Sequence, residues 1–260
     1  MSGKFVKEKT KKKKSSKLLI AFAVVAVLLL ILLATLLLLK PEQAGTNAAA
    51  NGNQTNATVQ HETVQIQQTQ SIRQSLDNDL EILDIGSYIG AYVEDGSDEI
   101  LSGILMIKVR NNGEDAVEYA SLTMEIGGQT AEFSISTLKP GATIVLLEKN
   151  RMAYDKKADY SAAEIRCENL ALFSQPLSCH EDQLEIQILD GAINVTNISG
   201  EDISGRISIY YKNTADGVYY GGITYRVTLE EGLKAGEIRQ MMASHFSDTG
   251  SEIMFVTIAQ

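Results

Sequence analysis

Leu18 to Leu39 is a run of 22 residues in which Thr35 is the only polar side chain. At about 1.5 Å per residue such a helix is about 33 Å long, enough to cross a hydrocarbon core of roughly 30 Å. Helix is the conformation required there, because lipid offers backbone amides no other hydrogen-bond partner. A run of this kind constrains everything around it: one side must stay in the cytoplasm and the other must leave it. Lys4, Lys7, Lys9, Lys11, Lys12, Lys13, Lys14 and Lys17 precede the run, and only Lys40 follows it closely. The positive-inside bias therefore predicts a cytoplasmic N-terminus, with everything after Pro41 on the outer side. A cleaved signal peptide, cut near Ala44 or Ala48-Ala49-Ala50, is the competing reading. Signal cores usually run about 7–15 residues, which favours a retained anchor.

Charge divides at the same place. The eight lysines and Glu8 give residues 1–17 a charge of +7, so the formal total of −10 leaves −17 for the remainder. An outer portion that acidic repels nucleic acid. The expected address is a cell membrane, single-pass, touching the lipid bilayer through Leu18–Leu39.

Residues 40–78 are rich in Asn, Gln, Thr and Ala, as in Asn47-Ala48-Ala49-Ala50-Asn51-Gly52-Asn53-Gln54. Such a composition buries too little apolar surface to offset its ordering entropy, and a flexible stalk is expected. Its reach is about 30–35 Å for ~37 residues. Val59 to Leu76 has loosely spaced apolar residues that suit a short helix, with coil as the default.

From Asp79 the pattern changes to short β-type runs separated by turn residues. Ile104 to Val109 leads into Asn111-Asn112-Gly113. Ala120 to Ile126 and Thr130 to Leu138 flank Gly127-Gly128, and Leu138-Lys139-Pro140-Gly141 precedes another strand at Ala142 to Leu147. Runs at this spacing predict antiparallel sandwich architecture. The second half then repeats the first. Ile193 to Asn197 parallels Ile107 to Asn111, and Gly200-Glu201-Asp202 parallels Gly113-Glu114-Asp115 at an offset of 87 residues. Leu233-Lys234-Ala235-Gly236 parallels Leu138-Lys139-Pro140-Gly141 at an offset of 95. A period of this size means two tandem domains rather than a solenoid. The expected organisation is all-β: a first immunoglobulin-like sandwich at 79–174 and a second at 181–260, after one N-terminal transmembrane helix.

Gly191 to Asn197, then Ile207-Ser208-Ile209-Tyr210-Tyr211 with Asp216-Gly217, then Leu233-Lys234-Ala235-Gly236, carry a resemblance. This succession looks like the bacterial FxLYD/CARDB-type extracytoplasmic sandwiches, over about residues 190–240 and more loosely over 104–145. The resemblance implies an envelope-exposed interaction or spacer module whose partner is another envelope protein, and it transfers no catalytic residues.

Cys167 and Cys179 flank the junction between the copies, and outside the cytoplasm a cysteine pair favours a disulfide; the alternative is two buried thiols that never meet. The C-x11-C spacing lacks the short ligand pairs that zinc uses, so no metal is expected. His61, His180 and His245 are isolated, no triad signature occurs, and the sharpest catalytic pairing available, Cys167 with His180, is outweighed by packing roles. No catalytic residue and no cofactor is assigned. Tyr210, Tyr211, Tyr219 and Tyr220 flank one hairpin and suit either a sugar-stacking surface or ordinary cross-strand pairing. The leading expectation is a non-enzymatic interaction or scaffold protein. A carbohydrate- or ligand-binding adhesion module, or an accessory subunit of an envelope enzyme, stands behind it.

Overall fold

The computed structural model describes residues 64–76 and 79–259. The basic tail, the apolar run Leu18–Leu39 and most of the expected stalk lie outside the described residues. Among the described residues no helix is long and apolar enough to cross a membrane. Residues 57–260 form one compact unit.

That unit is all-β. Its strands are β1 (Gln65–Ser75), β2 (Leu80–Tyr92), β3 (Glu99–Asn111), β4 (Val117–Ile126), β5 (Gln129–Leu138), β6 (Thr143–Leu147) and β7 (Glu164–Leu172). The second half adds β8 (Leu184–Leu189), β9 (Ala192–Asn197), β10 (Arg206–Ala215), β11 (Val218–Leu229), β12 (Ile238–Met241) and β13 (Ser251–Ala259). A 3-10 turn at Tyr160–Ala162 precedes β7.

Three sheets result, ordered β1-β2-β3-β6-β11-β10-β13, β12-β9-β8 and β5-β4-β7. These orders contain the repeat. Strands β2-β3-β6 and β5-β4-β7 of the first half correspond to β8-β9-β12 and β11-β10-β13 of the second. The halves are joined because one sheet of each is continuous with the other through a parallel pairing, Tyr219 opposite Ile144 and Tyr220 opposite Val145.

The repeat holds down to single hydrogen bonds. Asn111 is 1% exposed; its amide donates to the carbonyls of Asp115 (2.9 Å) and Leu138 (3.2 Å), and its Oδ1 accepts from Gly113 N (2.9 Å). Asn197, fully buried, donates to Glu201 O (2.7 Å) and Leu233 O (3.0 Å) and accepts from Ser199 N (3.0 Å). The turn glycines follow suit: Gly141 N donates to Asn111 O at 2.8 Å and Gly236 N to Asn197 O at 3.0 Å. Each asparagine thus ties the end of one strand to the turn that starts another, satisfying carbonyls that burial would otherwise leave without partners.

Two cores lie between the paired sheets. In the first, Leu105, Ile107 and Val109 of β3 face Leu122 and Met124 of β4 and Phe133 and Ile135 of β5. In the second, Ile193 and Val195 of β9 meet Ile207 and Ile209 of β10 and Val256 of β13. Alternate residues of β3 and β6 supply a third cluster on the opposite face: Met106, Val145 and Leu147 with Tyr88 and Tyr92. Burial on both faces explains why Leu105 to Ile107 reads as a continuous apolar run rather than an alternating one.

One expectation is corrected here. The stalk does not extend to residue 78, because Gln65–Ser75 is a strand paired antiparallel with β2. Backbone pairing along an existing edge compensates for its polar side chains, while Ile66 packs on the third cluster and Ile72 and Leu76 on the first core. Two register shifts, Gln67/Gln70 and Ser71/Gln74, interrupt the strand, with Gln68 (φ 54°) and Arg73 (φ 44°) in the left-handed region. Bulges of this kind break the period of two by which a strand is recognised in a sequence.

Candidate functional site: the polar joint between the halves

Where β10 runs beside β11, the register jumps. Tyr211 pairs with Tyr225 and Asn213 with Tyr220, so Lys212 alone stands opposite the four residues Gly221–Thr224. This outsized bulge turns its carbonyls out of the ladder, and the fully buried Lys212 meets them. Its Nζ donates to the carbonyls of Ile223 (2.6 Å), Gly221 (3.3 Å) and Gly222 (3.3 Å). Three acceptors match the three protons of an ammonium group. Burial pulls the Lys212 amine down to about 7, with the nearby Glu94 carboxylate acting in the opposite direction.

Glu94 comes from the β2–β3 turn of the other half. Its Oε1 accepts from Gly222 N at 2.8 Å and Leu147 N at 3.3 Å. Burial pushes this carboxyl up, while the two amide bonds and Lys212 work against that rise. The glycines are sterically required. A Cβ on Gly222 would lie 1.9 Å from Ser134 O, and one on Gly221, whose φ is +79°, would lie 2.1 Å from Val93 Cγ2. Ser136 Oγ donates to Gly222 O at 2.8 Å, and Thr224 Oγ1 donates to Ser136 O at 2.7 Å, stitching the bulge to β5.

Beside this knot the Asp98 carboxylate contacts His245 Nδ1. The imidazole stacks on Tyr225 with ring centres 4.8 Å apart, and Tyr225 stacks in turn on Tyr211 at 5.5 Å. Tyr211 donates its hydroxyl to Ser244 O, and burial pushes that hydroxyl up to about 12. Burial, and next the Asp98 charge, raise Tyr225 as well. Chemically the joint offers an amine, two carboxylates and an imidazole, but Lys212 is committed to three backbone carbonyls and has no exposed surface.

A second knot lies next to it. Glu148 is fully buried, its Oε1 accepting from Glu132 N (3.1 Å) and Asn150 Nδ2 (3.4 Å), its Oε2 from Met152 N (2.7 Å) and Asn150 N (2.8 Å). Tyr92 donates to the carbonyls of Glu148 (2.9 Å) and Lys149 (2.7 Å), beneath the Arg151 guanidinium 4.8 Å from its ring centre.

The tyrosines expected to form a binding surface are distributed otherwise. Tyr211 and Tyr219 are 1% and 5% exposed and belong to the interior. Tyr210 is half-buried, stacked on Phe255 at 4.3 Å, and Tyr220 packs on the third cluster. The reason is that these rings are taken up by protein neighbours, Tyr219 in the first core, Tyr211 against Tyr225 and Phe246, and Tyr210 against Phe255. Cys167 and Cys179, expected to close a disulfide, are thiols. Cys167 packs against the first core and Cys179 against the second. Burial raises the Cys179 thiol. It lines a groove of about 490 Å³ with Lys139, Phe173, Pro176 and Glu181. Among the described residues no three His, Cys, Asp or Glu side chains group so as to hold a metal ion.

Sequence reasoning missed Lys212, Glu94, Glu148 and the partnership of His245 with Asp98. Only the Gly221-Gly222 pair inside an aromatic strand hinted at a close backbone approach. A different kind of surface appears on the outer side of β12-β9-β8, where Leu189 (59%), Ile198 (49%), Ile238 (63%) and Met242 (68%) are exposed. No known protein-family model matches this chain, and no curated protein is similar to it in sequence.

Proposed function

We propose that the chain is a non-enzymatic envelope protein: a single-pass anchor at Leu18–Leu39 displaying two immunoglobulin-like β-sandwich modules outside the membrane, where they engage another envelope protein. The lysine asymmetry around the apolar run supports the address. The observation that carries the role is the outer face of β12-β9-β8. In a portion bearing −17, this face presents aliphatic side chains with the amides of Asn194, Gln187 and Gln240 and a single carboxylate, Glu185. Aliphatics with satisfiable amides and few charges are the composition of a protein-docking patch. Lys212 and Glu94, the groups with most chemical potential, are spent on the fold, which favours binding over catalysis.

Two measurements test this. Protease added to intact cells is expected to release a fragment containing nearly all residues after the anchor; full protection overturns the orientation. In-cell crosslinking of the wild type is expected to yield a defined adduct that Leu189→Glu with Met242→Glu removes. An adduct unchanged in that variant sinks the assignment of the face.

A further inference from the structure

The two halves differ at one sheet edge. By register, Leu80 and Ile82 of β2 stand opposite Asn111 and Val109, and Leu184 and Ile186 of β8 stand opposite Asn197 and Val195. The runs Leu80-Glu81-Ile82 and Leu184-Glu185-Ile186 are therefore counterparts. Ile85, opposite Ile107, corresponds in the same way to Ile188, opposite Ile193. On its other side β2 carries β1, whereas β8 ends its sheet among the described residues.

The difference shows in side chains, charge and backbone alike. Ile85 is fully buried, with Ile72 of β1 and the adjoining Leu76 packed on the same core, while Ile188 is 40% exposed. Arg73 of β1 lies 3.5 Å from Glu81. The counterpart Glu185 is exposed, and its carboxylate accepts from the Gln187 amide at 2.9 Å. Gln183 O accepts from Ile198 N at 2.8 Å, and antiparallel ladders alternate, so the amides and carbonyls of Ile186 and Ile188 point to the open side. The usual guards of such an edge are few: β8 has no register shift, no proline and one charge, Glu185. Arg239 stands at the opposite edge of the sheet, on β12.

We propose that the open edge of β8 is a strand-addition site for an extended segment of a partner protein. The segment lies antiparallel and has the chemistry of β1: amide and hydroxyl side chains, an aliphatic residue at the place of Ile72, and a basic one at the place of Arg73 facing Glu185. Strand β1 on β2 is the filled form of the same edge. Main-chain hydrogen bonds supply the affinity, and the aliphatic and basic residues fix the register. A second copy's β1 is already spent on its own β2, so exchanging it would open one edge for each edge closed. The site is distinct from the outer face assigned above, which Leu189 and Met242 define, and does not depend on it.

The test uses the full chain in detergent micelles and a synthetic peptide with the sequence Val64–Leu76. Saturable binding below about 1 mM is expected, with the Ile186 and Ile188 amides exchanging about tenfold more slowly in the complex. Glu185→Arg is expected to weaken binding about threefold, and a peptide carrying Arg73→Glu to recover it on that variant. N-methylation of alternate peptide amides leaves the protein untouched and is expected to abolish binding. Absent binding, protection at β2 instead of β8, indifference to the charge exchange, or equal binding of the methylated peptide overturns the proposal. So does protection of Ile186 and Ile188 without peptide, which would mean that residues 1–63 or, in a dimer, a second copy already lie along the edge. Failure of the crosslink to the outer face leaves each of these outcomes unchanged.

Discussion

Lys212 and Glu94, from different halves of the chain, hold the same residue from opposite sides. Lys212 takes the carbonyl of Gly222 at 3.3 Å and Glu94 takes its amide at 2.8 Å. Gly222 is thus pinned by a cation at its oxygen and an anion at its nitrogen, with β5 closing the third direction through Ser136. Lys212 has no exposed surface, and its charge is met by the backbone it organises.

That arrangement makes stability depend on pH in a stated direction. The ordinary lysine value of 10.5 is lowered to about 7 in the folded chain. Below pH 7 both states hold the proton and the full burial cost is present. Between about 7 and 10 the unfolded chain binds the proton more tightly, so stability rises with pH. Denaturant titrations from pH 7 to about 9.5, short of tyrosine ionisation in the unfolded chain, are expected to show a gain on the order of 3 kcal/mol. Lys212→Met is expected to flatten that slope. An equal slope in the variant assigns the effect elsewhere.

Gly222→Ala separates sterics from conformation. Its Cβ would meet Ser134 O at 1.9 Å, a backbone atom that cannot rotate away. The expected loss exceeds about 2 kcal/mol. Gly96→Ala, at φ +70° with open space around it, is expected to cost only about 1–2 kcal/mol of left-handed strain. Equal losses measured by chemical denaturation would mean the close approach at Gly222 is relieved by movement of β5.

Asn111→Ala and Asn197→Ala provide a paired test of the repeat. Each removes one amide that satisfies two carbonyls, one of them buried, and each is expected to cost about 2–3 kcal/mol. The two losses are expected to agree within about 1 kcal/mol and to add, since the sites share no partner. A loss confined to one site would show that only one copy relies on this tie.

Glu148→Gln tests the second knot. All four of its partners are donors, so an amide nitrogen in place of either oxygen sets donor against donor. A cost of about 3 kcal/mol is expected in thermal or denaturant unfolding. A neutral substitution would mean that the loop around Glu148 rearranges to accommodate the amide.

The sequence displays those parts of the fold that rest on local chemistry. Gly127-Gly128 closes the β4–β5 hairpin where expected, and the Leu138–Gly141 and Leu233–Gly236 turns mark the two copies. Asn111 and Asn197 stand in matching positions of matching strings. What stayed hidden depends on contacts distant in sequence. The parallel β6–β11 pairing has no local signal, since Thr143–Leu147 reads equally well as an edge or an interior strand. Lys212 sits among aromatic and polar neighbours and reads as a solvated strand residue; only the bulge opposite it makes burial feasible. Asp98 and His245 lie 147 residues apart, and nothing in either neighbourhood announces the other.

The matching of the halves also bears on why there are two. Registers place Ile144 of β6 opposite Val109 and Arg239 of β12 opposite Val195, so Ile144 and Arg239 are counterparts; Val145 and Gln240 follow one position later. The inner copy offers aliphatic residues along the edge that accepts a foreign strand, whereas the outer copy offers a guanidinium and an amide at the same places. A modular chain that adds strands edge to edge risks open-ended growth, and a charge set on the last edge is how such growth is stopped. Arg239 is in that sense the full stop of a two-word sentence, and replacing it with isoleucine would invite a third word from a neighbouring molecule.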